Sequence, residues 1–145
     1  MQKIAVTGAN GRFGKILVQF LREQHFEVKP SDLFSGRPEE GAVNCDVRDL
    51  GHLVSVFQGC DAVVHLAAFP SPWMQPDAKV YQDNTLGSYN VLLACEFLGI
   101  KKICLASSIN AIGGVYSRLP TYEYFPVDEE HPTYSEDPYS LSKWI

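Results

Sequence analysis

The chain has 145 residues, 46% hydrophobic and 20% charged, which is material for one core and argues against disorder. No uncharged apolar run approaches the ~20 residues of a membrane span, and the stretch from Met1 to Gly8 is too short for a signal peptide. The net charge of −5 lies wholly in residues 119–145, which carry one basic and six acidic side chains, whereas residues 1–118 carry eleven of each. With no basic stripe, nucleic-acid binding is disfavoured, and the acidic segment is expected to be a solvated loop.

Strands are expected over Lys3–Thr7, Glu27–Ser31, Ala42–Asp46, Ala62–Leu66 and Lys102–Ser107. Between them, helices are expected over Arg12–Gln24, Asp49–Phe57 and Asp77–Leu98. In the first helix Phe13, Ile16, Leu17, Phe20 and Leu21 recur at three- and four-residue steps, an amphipathic pattern. Asp49 and Asp77 stand where N-caps belong. Pro30 removes a ladder donor from the second strand, which is therefore expected to be irregular just before Asp32. Strand–helix alternation implies an α/β fold: a Rossmann-type doubly wound parallel sheet with helices on both faces. Ser108–Asp137 shows neither periodicity and is a long loop, after which Asp137-Pro138 reads as the N-cap and first position of a last helix.

The four cysteines, Cys45, Cys60, Cys95 and Cys104, form no C-x-x-C pair and have no histidines clustered around them. Buried reduced thiols and a cytoplasmic location are expected, with no metal site.

The turn after the first strand carries Gly8, Gly11 and Gly14 and opens the first helix. Gly8 suits a tight turn, Gly11 lets backbone approach a pyrophosphate, and Gly14 permits close packing of helix on strand. The helix N-terminus adds unpaired N–H groups and a positive dipole end. The spacing is G-x-x-G-x-x-G, with Asn10 where the G-x-G-x-x-G fingerprint has its second glycine. Asp32, 24 residues after Gly8, can accept hydrogen bonds from an adenosine ribose and repels a 2′-phosphate, so NAD is favoured over NADP. Arg37, five residues on, keeps NADP open. No G-x-x-x-x-G-K-[ST] sequence occurs, so a nucleotide-hydrolysing reading has no support.

Further motifs follow in order: Cys45-Asp46-Val47, His65-Leu66-Ala67-Ala68, Asn84-Thr85-Leu86-Gly87-Ser88-Tyr89-Asn90, Leu105-Ala106-Ser107-Ser108 and Tyr139-Ser140-Leu141-Ser142-Lys143. Together with the glycine turn they resemble the extended short-chain dehydrogenase/reductase family, also called the NAD-dependent epimerase/dehydratase family. The resemblance covers essentially the whole chain. It implies cofactor contacts from Gly8, Asn10, Gly11, Arg12, Phe13, Gly14, Asp32, Asp46, Val47, Leu66, Ala67, Ala68, Asn84, Tyr139 and Lys143. It also implies Ser108, Tyr139 and Lys143 as the catalytic side chains. Ser108 is preferred over Ser107 as the last residue of its motif.

The residue types fit that chemistry. A tyrosine, with an ordinary pKa near ~10, is a poor base at neutral pH unless its phenolate is stabilised. Lys143 lies one helical turn after Tyr139 on the same face and can supply that stabilisation. The expected activity is that of an NAD(P)-dependent oxidoreductase or epimerase/dehydratase acting on a hydroxylated small molecule of the sugar type. Tyr139 would remove the alcohol proton while hydride passes to nicotinamide. The alternative is a non-catalytic dinucleotide-binding module of the redox-sensing kind, which typically lacks the Tyr/Lys pair.

His65 reads as a packed strand-end residue and Asn84 as one that orders the site, while Trp73 and Met74 either face substrate or cover the sheet edge. Ser108–Gly113 lacks the tyrosine that many sugar-nucleotide epimerases carry there and is somewhat closer to uronate-dehydrogenase-like members. Family members are longer than this chain. The resemblance therefore implies that residues 1–145 are an incomplete NAD(P)-binding domain, without its C-terminal strands and substrate domain, and that the full-length form is a homodimer.

Overall fold

The structure, a computed structural model, describes residues 2–33 and 41–145. Its elements are β1 (Lys3–Thr7), α1 (Arg12–Glu23), β2 (Glu27–Asp32), β3 (Val43–Asn44), α2 (Leu50–Phe57), β4 (Ala62–His65), α3 (Asp77–Leu98), β5 (Lys102–Leu105) and α4 (Pro138–Trp144). Two 3₁₀ turns, Pro72–Met74 and Ile109–Ile112, lie between them. All strand pairs are parallel, in the order β3-β2-β1-β4-β5, which is the Rossmann-type arrangement. By its contacts the chain divides into two compact units, Met1–Ala68 with Leu86–Ala106, and Phe69–Thr85 with Ser107–Ile145.

The first unit holds the sheet. Strand alternation sends Ala5 and Val63 to one face, where Leu53, Val56 and Phe57 of α2 and Val91, Ala94 and Cys95 of α3 cover them. Ile4 and Val6 point the other way, onto Val18, Leu17 and Leu21 of α1. Full burial of Leu53 and Phe57 contributes about 1.5–3 kcal/mol each. Asp49 caps α2, its carboxylate accepting from the His52 N–H at 3.1 Å. Asp77 does not cap α3. It is that helix's first residue, and the Pro76 carbonyl accepts from the N–H groups of Lys79 (2.8 Å) and Val80 (3.1 Å). An acidic side chain in a first turn still meets the positive end of the helix dipole favourably.

Pro30 leaves β2 regular, contrary to expectation. Backbone groups along a strand alternate sides, and the Ser31 carbonyl turns toward Ala9 while the Asp32 carbonyl turns toward Cys45. Pro30 therefore faces the β3 side, and pairing with β3 begins only at Ser31, so no ladder bond is lost. The third and fifth strands are shorter than expected, Val43–Asn44 and Lys102–Leu105, so Ser107 and Ser108 lie beyond β5.

Cys45, Cys60 and Cys95 are buried, but Cys104 is exposed. Its apolar neighbours Ile103 and Leu105 suggested a covered strand; among the described residues β5 instead pairs with β4 alone, and Leu105 is itself exposed. Burial pushes the Cys45 and Cys95 thiols up to about 11 and raises Cys60 as well. Titration of the native chain with a thiol-reactive chromophore at pH 8 should therefore show one fast thiol, with the other three reacting only on unfolding.

In the second unit the acidic segment is tied down rather than merely solvated. The Tyr124 hydroxyl donates to Asp128 (2.6 Å), the Tyr134 hydroxyl to Glu123, and the Arg118 N–H to Glu136 (2.5 Å). His131, only 1% exposed, anchors the loop. Its Nδ1 donates to the Pro132 carbonyl at 2.7 Å, its Nε2 accepts from the Glu123 N–H at 3.0 Å, and the Tyr122 and Tyr124 rings pack against it. No described helix is long and apolar enough to cross a membrane.

Candidate active site

The glycine turn is fixed by backbone contacts. Gly8 has φ +69°, and a Cβ there would lie 2.6 Å from the Ala67 nitrogen. On Gly14 a Cβ would lie 2.2 Å from the Gly8 oxygen and 2.8 Å from the Ala9 Cα. Gly11 differs: its φ of −64° suits any residue, and a Cβ would meet only the Gly8 oxygen, at 3.2 Å. Among the described residues nothing else lies within 4 Å of that Cβ, and no described side chain caps α1. An open glycine beside an uncapped helix N-terminus fits a pyrophosphate.

The turn is docked on its neighbours. The Ala9 N–H donates to the Ser31 carbonyl (3.0 Å) and the Asn10 N–H to Asp32 Oδ2 (2.9 Å). The Asp32 carboxylate also accepts from the Leu33 N–H at 2.8 Å, which sets its orientation at the end of β2. Beneath the turn, buried Thr7 and His65 pair through Oγ1 and Nδ1 at 2.7 Å, and the half-buried Leu66, Ala67 and Ala68 follow. His65 is thus a packed strand-end residue. Arg12 and Phe13 lie exposed in the first turn of α1. Arg37 lies outside the described residues.

Asp46 is already engaged. Arg48 clasps its carboxylate through Nε (2.9 and 3.2 Å) and Nη2 (2.6 Å), and this guanidinium holds the carboxyl below the usual range. Next to it, α3 approaches Val47 so closely that a Cβ on Gly87 would meet Val47 Cγ2 at 2.8 Å. Asn90 Nδ2 donates to the Val47 (3.2 Å) and Arg48 (2.9 Å) carbonyls. The last two members of the N-x-x-G-x-x-N motif therefore position the Asp46-Val47 segment.

Asn84 belongs to the second unit and spends its amide there. Oδ1 accepts from the Phe69 N–H (2.8 Å), and Nδ2 donates to the Phe69 carbonyl (3.2 Å) and Ser142 Oγ (3.0 Å). Ser142 in turn donates to the Tyr139 carbonyl at 2.7 Å. Asn84→Ala leaves these buried groups without partners and should lower stability by about 2 kcal/mol, read as a shifted urea midpoint.

The seven-residue α4 is held at both ends. Asp137 accepts from the Ser140 N–H (2.9 Å) and hydroxyl, Pro138 sits at the first position, and the Ser107 hydroxyl donates to the Lys143 carbonyl at 3.1 Å. This occupies Ser107 structurally. Tyr139, 8% exposed, and Lys143 lie on one face at the i, i+4 spacing. Burial lowers the Lys143 pKa from its ordinary value. The 3₁₀ turn that Ser108 caps packs against α4.

Ser108 is a cap, and its bonding pattern leaves it more than that. Its Oγ accepts from the Asn110 N–H (3.2 Å) and Nδ2 (3.3 Å), while Asn110 Oδ1 accepts from the Val115 N–H (3.1 Å). With its oxygen receiving two donors, the hydroxyl hydrogen is left to be given away. Asn110 and Ser142 were not singled out from sequence. The Ser-x-Asn turn signal could have found Asn110, whereas Ser142 depends on a partner 58 residues distant.

A parallel sheet of Rossmann-type order, with a glycine turn after β1 and a carboxylate ending β2, defines the class of dinucleotide-binding folds. Residues 4–145 match the NAD dependent epimerase/dehydratase family, and the chain belongs to it. It is 42% identical over 110 residues to the L-arabinose 1-dehydrogenase (NAD(P)(+)) of Haloferax volcanii, covering 74% of this chain and 41% of the relative. To the N-acetyl-alpha-D-glucosaminyl-diphospho-ditrans,octacis-undecaprenol 4-epimerase of Escherichia coli O157:H7 it is 37% identical over 143 residues, covering 97% and 40%. The crystal structure of uronate dehydrogenase from Agrobacterium tumefaciens superposes with a TM-score of 0.83 at 26% identity, covering 99% of this chain and 52% of that one. The chain thus spans about half or less of these relatives.

Proposed function

We propose that this chain supplies the cofactor-binding and proton-transfer portion of an NAD-dependent oxidoreductase or epimerase acting on a sugar hydroxyl. The observation that carries this reading is α4, which is pinned at both ends and presents buried Tyr139 and half-buried Lys143 on one face. Family membership and sugar-acting relatives support the substrate class. Retention of the Tyr/Lys pair argues against a non-catalytic binding module.

Gly11 and the α1 N-terminus would hold the pyrophosphate, in a turn that Gly8 and Gly14 shape, and Asp32 would receive the ribose hydroxyls. The Asp46-Val47 backbone and Leu66–Ala68 would lie along the cofactor. Bound NAD supplies the hydride acceptor. Ser108 donates its hydroxyl hydrogen to the substrate oxygen. Tyr139, as phenolate, takes the alcohol proton, and the Lys143 ammonium stabilises that phenolate.

Parallel titration with NAD, NADP, FMN and ATP tests the cofactor, and NAD should bind at least about tenfold more tightly than NADP, a margin that Asp32→Asn narrows. A panel of L-arabinose, D-glucuronate and UDP-glucose, followed at the NADH absorbance and by product analysis, tests the reaction. Binding of FMN or ATP in place of NAD would sink the reading.

A further inference from the structure

Trp73 is 80% exposed rather than packed away. It is nonetheless held in place. Its N–H donates to Ser71 Oγ at 3.3 Å, Pro72 opens its 3₁₀ turn, and that turn touches α4. Its ring meets Tyr116 edge-on, with centroids 5.0 Å apart and planes at 76°. Tyr116 meets Tyr139 in the same way, at 5.8 Å and 74°. Three rings thus run in series from solvent to the tyrosine proposed to move the proton. A T-shaped contact occupies only part of a ring, so most of the Trp73 indole stays open.

We propose that Trp73, set by Tyr116, is a positioning residue whose indole stacks on the apolar C–H face of a pyranose ring while Tyr139 addresses one of its hydroxyls. An aromatic face is negative and a sugar's C–H face is weakly positive and poorly hydrated, so the two are complementary. This rests on the sugar-hydroxyl reading above and adds that the substrate is recognised as a closed ring. An acyclic polyol presents no such face.

The test uses the NAD-loaded protein with two readouts. In a Trp144→Phe background the emission of Trp73 should change saturably with L-arabinose, D-glucuronate or UDP-glucose and stay flat with glycerol. In kinetics, Trp73→Ala should raise KM for the responding sugar about tenfold, with the loss falling on KM rather than kcat, and Trp73→Phe should restore most of it. No saturable response to any of the three sugars, or an unchanged KM in Trp73→Ala, overturns the proposal. Those failures stand apart from failure of the underlying reading, which is marked by full turnover in Tyr139→Phe.

Discussion

Tyr139→Phe should lower kcat by about 10²–10⁴-fold, the range ascribed to a positioned acid–base group, with NAD affinity unchanged. The substitution removes one oxygen and keeps the ring, so the edge contact with Tyr116 and the burial of the side chain persist. A thermal melt matching that of the parent protein would show that the loss is chemical. The pH profile gives a second measure. Burial lowers the Lys143 pKa, so its charge is lost at a lower pH than the ordinary lysine value of 10.5. The phenolate then loses its stabilising neighbour, and the alkaline limb of kcat/KM should fall below that value. Turnover close to parental in Tyr139→Phe would remove this tyrosine from the mechanism.

The second large effect is expected in the glycine turn, where two substitutions of equal size should behave differently. Gly14→Ala places a methyl 2.2 Å from the Gly8 oxygen and within 3 Å of two Ala9 backbone atoms, none of which can rotate away. Such overpacking costs about 1–3 kcal/mol or more, which for a chain of this size lowers Tm by about 5–10 °C. Its effect on NAD binding should exceed about 100-fold, because the turn itself is displaced. Gly11→Ala meets only one backbone oxygen, at 3.2 Å, and needs no unusual φ. Its Tm should hardly move while NAD affinity falls, since the methyl projects where the pyrophosphate belongs. Equal loss of Tm in both variants would mean that Gly11 serves packing alone.

Much of the sheet was readable from short-range pattern. β1, α3 and the start of α4 fall where the alternation, the helical period and Asp137-Pro138 put them, because each is dictated by residues within a few positions. The errors arose where neighbours in space decide. Cys104 has an apolar sequence environment but lies on a strand that, among the described residues, has one neighbour only, and no local pattern says how many neighbours a strand has. Pro30 is harmless because pairing with β3 starts one residue later, a matter of register. At the candidate site, motif spacing marked Asn84, Ser108, Tyr139 and Lys143. The structure adds why Asn84 orients α4 through Ser142, why Asn110 frees the Ser108 hydrogen, and how Asn90 grips Val47 and Arg48. These links span up to 58 residues of chain and have no local signature.

Among the described residues β5 ends the sheet, and that position bears on how residues 1–145, expressed alone, behave at high concentration. Among the described residues β5 pairs with β4 alone, so its other side offers a row of main-chain donors and acceptors to any passing strand. Leu105 on that strand is exposed, which makes a second chain a favourable visitor. Lys101, just before the strand, and Lys102, its first residue, put adjacent positive charges at its start, and two approaching copies in parallel register would bring those charges together. The same short segment therefore carries both an invitation to self-association and its deterrent. Salt, by screening the lysines, shifts the balance toward aggregation.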